Sequence, residues 1–215
     1  MNSMNHALCS VLLAGACLLS GPALAETPLP PDPVYVAVDG GYVGIWARPA
    51  EYVEYALKGE IKLQDAYHVL LAPGTGMMMT FADKRELGPG KDLLASHRKW
   101  ELAYWRAHAA RVESRDRSDL AGARHGLMVT EITAFSQDGS SLTAYMIAVA
   151  AKDGVFVFSI SPAAPELDAA VREFVASIKV EHRRLDLRAE AMRIAPAPPQ
   201  PPTAQSGASA PRGQP

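Results

Sequence analysis

Few side chains in this sequence combine the types and the spacing that chemistry requires, and the nearest approach lies between Asp92 and Glu113. There His97, Glu101, Tyr104 and His108 recur so that, at ~100° per residue, all four fall within one narrow stripe of a helix. A histidine and a carboxylate four residues apart can share a metal ion, which makes His97 and Glu101 the best-placed pair. His108 cannot join them, because a rise of ~1.5 Å per residue carries it about 16 Å along the axis, against ligand bonds of about 2 Å. Two ligands make a poor site. Trp100 and Trp105 flank the stripe, so the pattern predicts an aromatic face laid on a sheet, with His97 and Glu101 as partly buried polar neighbours and no metal.

Other motifs lead to the same expectation. No G-x-S-x-G nucleophile elbow occurs, and Ser140-Ser141 directly follows a turn, where serine serves the turn itself. The glycine-rich stretches Ala72-Pro73-Gly74-Thr75-Gly76 and Gly88-Pro89-Gly90-Lys91-Asp92 lack the G-x-x-x-x-G-K-[ST] spacing that cradles phosphate, and read as loops. Met77-Met78-Met79 offers soft sulfur ligands, but in a strand Met77 and Met79 point away from Met78, so the three cannot converge on one ion and are expected to pack in a core. Arg106, Arg111, Arg115, Arg117 and Arg124 alternate with Glu113, Asp116 and Asp119, the pattern of a solvated mixed face, and Arg183, Arg184 and Arg188 read likewise. No catalytic, cofactor-binding or metal-ligating residue is therefore expected, and no cofactor.

The elements that would position such residues begin after an N-terminal segment of a different kind. Ala7 to Leu19 is almost wholly apolar, and Pro22-Ala23-Leu24-Ala25 closes it with an A-x-A site before Glu26, which predicts a signal peptide over 1–25, cleaved after Ala25, and a periplasmic or secreted protein. Lipidation at Cys17, preceded by Ala14-Gly15-Ala16, is the competing processing event. Cys9 and Cys17 both lie within the signal, so the mature chain is expected to lack disulfides, thiolate nucleophiles and cysteine-ligated zinc. The apolar run is shorter than the ~20 residues of a spanning helix, and no transmembrane segment is expected after cleavage. A formal charge of −2 gives no global attraction to nucleic acid.

Composition divides the remainder into a proline-rich spacer over 26–33, a single α+β domain over 34–194, and a Pro/Ala-rich tail over 195–215 with too little apolar surface to offset its ordering entropy, hence expected to be disordered. Val34 to Val38 and Tyr42 to Ala47 flank Asp39-Gly40-Gly41, a hairpin signal. Apolar residues at 61, 66, 69 and 70, ending before Pro73-Gly74, predict a short helix over 61–72, then a strand over 77–82 and a long helix from about 92 to 113. Strands over 127–135, 141–150 and 155–161, joined by turns containing Asp138-Gly139 and Asp153-Gly154, form a three-stranded meander. Pro165, Glu166 and Asp168 then open a closing helix whose Leu167, Ala170, Val171, Phe174, Val175 and Ile178 recur at helical spacing. The predicted fold is an antiparallel sheet, N-terminal hairpin plus C-terminal meander, covered by the long central helix and the C-terminal helix.

The segment Glu54-Tyr55-Ala56-Leu57-Lys58-Gly59-Glu60, followed in this reading by short helix, strand, long helix, meander and closing helix, resembles the PsbP/DcrB-like superfamily over most of Val34 to Val180. That resemblance implies accessory and binding domains without a shared catalytic set, and carries over no functional residue. The expected function is an exported, non-enzymatic accessory or binding domain acting on a protein or small ligand of the cell envelope, through protein contacts or a groove beside the sheet. A tethering protein that reaches a partner with its tail, and an enzyme without recognisable motifs, are the alternatives.

Overall fold

The structure, a computed structural model, describes residues 32–88, 90 and 92–194. The expected signal peptide over 1–25, most of the expected spacer over 26–33 and the tail over 195–215 lie outside the described residues.

The turns form where local chemistry places them. β1 (Val34–Val38) and β2 (Gly41–Arg48) make the first hairpin, and Gly40 takes the positive φ of 75° that its turn demands. β3 (Glu51–Lys58) pairs back on β2, and Gly44 is required there because a Cβ would stand 2.3 Å from the Tyr55 ring. β4 (Lys62–Leu63), β5 (His68–Ala72) and β6 (Thr75–Asp83) follow. Helix α1 (Leu93–His108) starts at Asp92, whose side chain accepts from the Ala95 amide at 3.0 Å, and is succeeded by β7 (Arg111–Asp116) and the single-turn α2 (Ser118–Ala121). The meander is β8 (Leu127–Phe135), β9 (Ser141–Ala150) and β10 (Gly154–Ser161), as expected from its turns. A 3₁₀ turn over Pro165–Leu167 leads into α3 (Asp168–Ser177), then β11 (Lys179–Glu181) and α4 (Leu187–Ile194).

The layering corrects the predicted fold. In place of one antiparallel sheet covered by a long central helix and a C-terminal helix, the chain is strand-rich and builds two antiparallel sheets, of four strands in the order β1-β2-β3-β11 and seven in the order β4-β5-β6-β10-β9-β8-β7. The N-terminal hairpin does not extend the meander's sheet. It belongs to the four-stranded sheet, where β3 is buried on both faces: Val53, Tyr55 and Leu57 meet the larger sheet, while Tyr52 packs on the opposite side with Ile45, Leu185 and Ile194.

Two segments account for the difference. Residues 61–72 hold strands β4 and β5, not a helix, because Ile61, Tyr67, Val69 and Leu71 reach the core with period two, and pairing with β6 overrides the weak helical spacing. The long helix stops at His108 rather than running to about 113, and Arg111–Asp116 becomes a charged, mostly exposed edge strand on β8. Helix α1 thereby covers only the outer face of the larger sheet, where Leu93, Leu94, Leu102 and Trp105 meet Ile132, Met146, Val155 and Val157.

Between the sheets lies an aromatic seam. Trp46 stands edge-on to Phe156 at 5.1 Å, Tyr55 to Phe158 at 4.9 Å, and Phe158 to Phe174 of α3 at 5.3 Å, the T-shaped geometry that ring quadrupoles favour. Met77 and Met79 are buried in this core, as their alternation predicted, and the Tyr55 hydroxyl donates to the Met79 sulfur at 3.0 Å. Phe174→Ala leaves a cavity between Tyr55 and Phe158, and should cost about 3–5 kcal/mol of stability in urea or thermal unfolding.

Candidate functional site

At one end of the molecule the two sheets separate around a cleft of about 700 Å³. The β2–β3 turn supplies Ala50 and Glu51, the start of β8 supplies Leu127 behind Arg124 and His125, the β9–β10 turn supplies Lys152, and β11 with the residue after it supplies Val180 and His182. Its floor is apolar, where Leu127, Val149, Ile178 and Val180 continue the inter-sheet core. Its rim carries four basic side chains and one acid.

The acid is fixed and withdrawn. Glu51 is 2% exposed; one carboxylate oxygen accepts the Lys152 amide N–H at 2.7 Å, and the other faces Nδ1 of His182 at 3.2 Å. A carboxylate is an acceptor only, so the nitrogen facing it carries the proton and the imidazole turns its Nε2 edge away from Glu51. The His182 side chain is itself 72% exposed. Arg124 is committed elsewhere, donating to the carbonyls of Val175 at 2.5 Å, Ala176 at 3.2 Å and Ile178, which satisfies the C-terminus of α3 and complements its dipole. Lys152 and His125 make no side-chain hydrogen bond or ion pair among the described residues, and Asp153, beside Lys152, is paired with Lys84 at 2.6 Å.

A second, smaller cavity of about 230 Å³ lies between α3, β3 and the β5–β6 turn. Leu57, Leu71, Ile160, Val171 and Phe174 line it, and the exposed Lys58–Glu173 ion pair, 2.8 Å long, crosses its mouth. It holds no convergent polar constellation.

The helical stripe is brought together differently from the expectation. His97 is fully buried, at 1% exposure, rather than partly, while Trp100 is 40% exposed and stacks on Tyr104 instead of on the sheet. Trp105 is the ring that packs inward, and its Nε1 donates to Glu101 at 3.0 Å. His97 Nε2 and Glu101 stand 3.9 Å apart, too long for a hydrogen bond, and His97 Nδ1 has no hydrogen-bond partner among the described residues. Burial lowers His97 to about 4 and raises Glu101, so at neutral pH the imidazole is neutral and the contact is not an ion pair. Among the described residues, no group of three or more His, Cys, Asp or Glu side chains is placed to hold a metal.

Arg117 departs furthest from the solvated face predicted for it. Its side chain is 7% exposed and ties four elements, pairing with Asp119 at 2.9 Å, Glu131 at 2.8 Å and Asp168 at 2.5 Å, and donating to the Tyr145 hydroxyl at 3.2 Å. Tyr145 in turn donates to Asp168, which Arg117 and this hydroxyl together hold below the usual carboxylate range. Arg183 also gains partners, in Glu190 at 3.1 Å and the Tyr52 hydroxyl at 2.6 Å. Ser140 remains a turn residue, bonded to Ser136 and Asp138.

Glu51, His125, Lys152 and His182 escaped the sequence reading because each stands alone in its own segment, with no spacing to mark it. No protein-family model matches this chain, and no curated protein does either.

Two outcomes are expected. Arg117→Met leaves three carboxylates without their common partner and should cost about 2–3 kcal/mol, below the ~3–5 of a fully buried pair because Asp119 and Asp168 reach water; chemical denaturation measures it. The His97 value of about 4 lies below the ordinary 6.5, so the unfolded chain takes up the proton first: stability is complete above about pH 6.5 and is lost as pH falls towards 4, by roughly 2–3 kcal/mol at about 1.4 per pKa unit. Glu101, raised by burial, acts in the opposite sense, and pH-dependent unfolding of His97→Leu, which should flatten the curve across that window, isolates the histidine.

Proposed function

We propose that this protein is an exported, non-catalytic binding domain that holds a small ligand in the cleft at the open end of its two sheets. The observation that carries the reading is the cleft itself: about 700 Å³, within the roughly 300–1,000 Å³ of small-molecule sites, with an apolar floor and a few polar groups gathered on one rim. Three of the polar groups, Glu51, His182 and Arg124, are held in place by contacts far apart in sequence, as a preformed site requires. Glu51 locks the β9–β10 turn through Lys152 and steadies His182, while Arg124 joins the start of β8 to the end of α3. The smaller cavity, at about 230 Å³, falls below the usual range.

Export rests on the apolar run Ala7 to Leu19 and the A-x-A site ending at Ala25, and a non-enzymatic role accords with the PsbP/DcrB-like resemblance. The ligand on this reading is a component of the cell envelope. None of the residues named on the cleft's rim is a serine, threonine or cysteine, so a binding role needs fewer additional parts than a nucleophilic one.

A neutral solvatochromic dye tests the reading without presupposing the ligand's charge. Nile red should bind the protein saturably, and Val180→Trp, which fills the cleft, should weaken that binding by about tenfold or more with the fold intact by circular dichroism. Ala170→Trp, in the smaller cavity, should leave it unchanged. Loss of dye binding in Ala170→Trp alone would assign the ligand to the other cavity and remove the proposal.

A further inference from the structure

The cleft's charges are of one effective sign. Arg124, His125, Lys152 and His182 contribute basic groups, and Glu51 is the only acid among its lining residues. That acid cannot meet a ligand, because both of its oxygens are occupied and the residue is almost wholly buried. A cationic ligand would therefore enter among four basic side chains and find no accessible carboxylate.

The basic groups are not equivalent. Arg124 spends its donors on the carbonyls at the end of α3, so its charge offsets the helix dipole. Lys152 differs, because only its backbone N–H is engaged by Glu51; its ammonium makes no ion pair among the described residues, and the neighbouring Asp153 is taken by Lys84. His182 donates Nδ1–H to Glu51, so its Nε2 edge remains for a ligand and donates to an anionic group when the ring carries both protons, and it reaches the cleft from the opposite sheet. Both groups adjoin an apolar floor, and a charge partly removed from water is attracted more strongly than one fully solvated.

Resting on the binding role given above, we infer that the ligand is an amphipathic organic anion, its apolar body on Leu127, Val149 and Val180 and its anionic group between Lys152 and His182. A carboxylate and a phosphate monoester share the recognising chemistry, two charge-assisted contacts on one acidic group. Lys152 suits either, as a point charge with no bidentate geometry to satisfy.

Calorimetric titration of the mature protein with four eight-carbon compounds separates the contributions. Octanoate or octyl phosphate should bind about tenfold or more tightly than octanol, and octylamine more weakly than octanol. The stronger of the two anions identifies the head group. Lys152→Ala and His182→Gln should each remove most of the anion's advantage over octanol measured on the same variant, and Lys152→Glu should reverse the order of octanoate and octylamine. Both side chains are exposed, and glutamine at 182 retains a donor for Glu51, so the changes preserve the fold. Equal binding of octanol and the anions, or an anion preference that survives Lys152→Glu, overturns the inference while the cleft still binds Nile red. Failure of Nile red as well would reject the binding cleft itself, a result distinguishable from loss of charge preference alone.

Discussion

The need to bury one set of aromatic rings between two sheets organises this molecule. Trp46 and Tyr55 project from the four-stranded sheet, Phe81, Phe156 and Phe158 from the seven-stranded sheet, and Phe174 enters from α3. Rings of that size, each burying roughly 150–250 Å², cannot be covered by a helix on one side and water on the other. They require a second layer, which is why the N-terminal hairpin and β3 stand as a sheet of their own. Helix α3 fills the remaining gap with Val171, Phe174 and Val175, and Ser177 ties it to β3 by accepting the Ala56 amide at 2.9 Å.

Charged ties hold the periphery in register with this seam. Arg117 fastens the start of α3 to β8 and β9 through Asp168, Glu131 and Tyr145. On the outer face of the smaller sheet, Glu54 of β3 pairs with Lys179 at 3.1 Å and with Arg193 of α4, while Arg193 and Arg183 hold Glu190 below its ordinary range against the opposing effect of its burial. Partners approached through hydrogen bonds of both members recover much of the desolvation cost, and they specify position more sharply than apolar contact does. The satisfaction is not complete: among the described residues, His97 Nδ1 and the Thr130 hydroxyl are buried without hydrogen-bond partners, as are the ring N–H of Trp46, Nε of Arg48 and Nε2 of His68.

The cleft arises where the seam runs out. Large rings keep the sheets packed at the centre, but the end beside β11 is lined by Ala50, Gly126, Ala150 and Ala151, which are too small to fill the space between diverging layers. Sheets twist, so two of them packed face to face separate at their corners. What lies on the rim is then set by turn residues, and those free of backbone duties supply Lys152 and His182 while Glu51 anchors both.

Local signals were legible in the sequence because their physics is local. Asp39-Gly40, Asp138-Gly139 and Asp153-Gly154 specify turns through a few dihedral angles, the meander follows from the last two, and Pro165 with the apolar spacing from Leu167 to Ile178 specifies the closing helix. Alternation alone also placed Met77 and Met79 in a core. Tertiary structure decided the rest. Residues 61–72 carry both helical and period-two spacing, and only the presence of β6 selects the strand; the division into two sheets depends on rings that meet across the chain. The candidate site is the extreme case, since Glu51 meets Lys152 and His182 across 101 and 131 residues. No window of sequence contains such a pair, and the burial that strips Glu51 of water, neutralises His97 and encloses Arg117 exists only once the layers have closed around them.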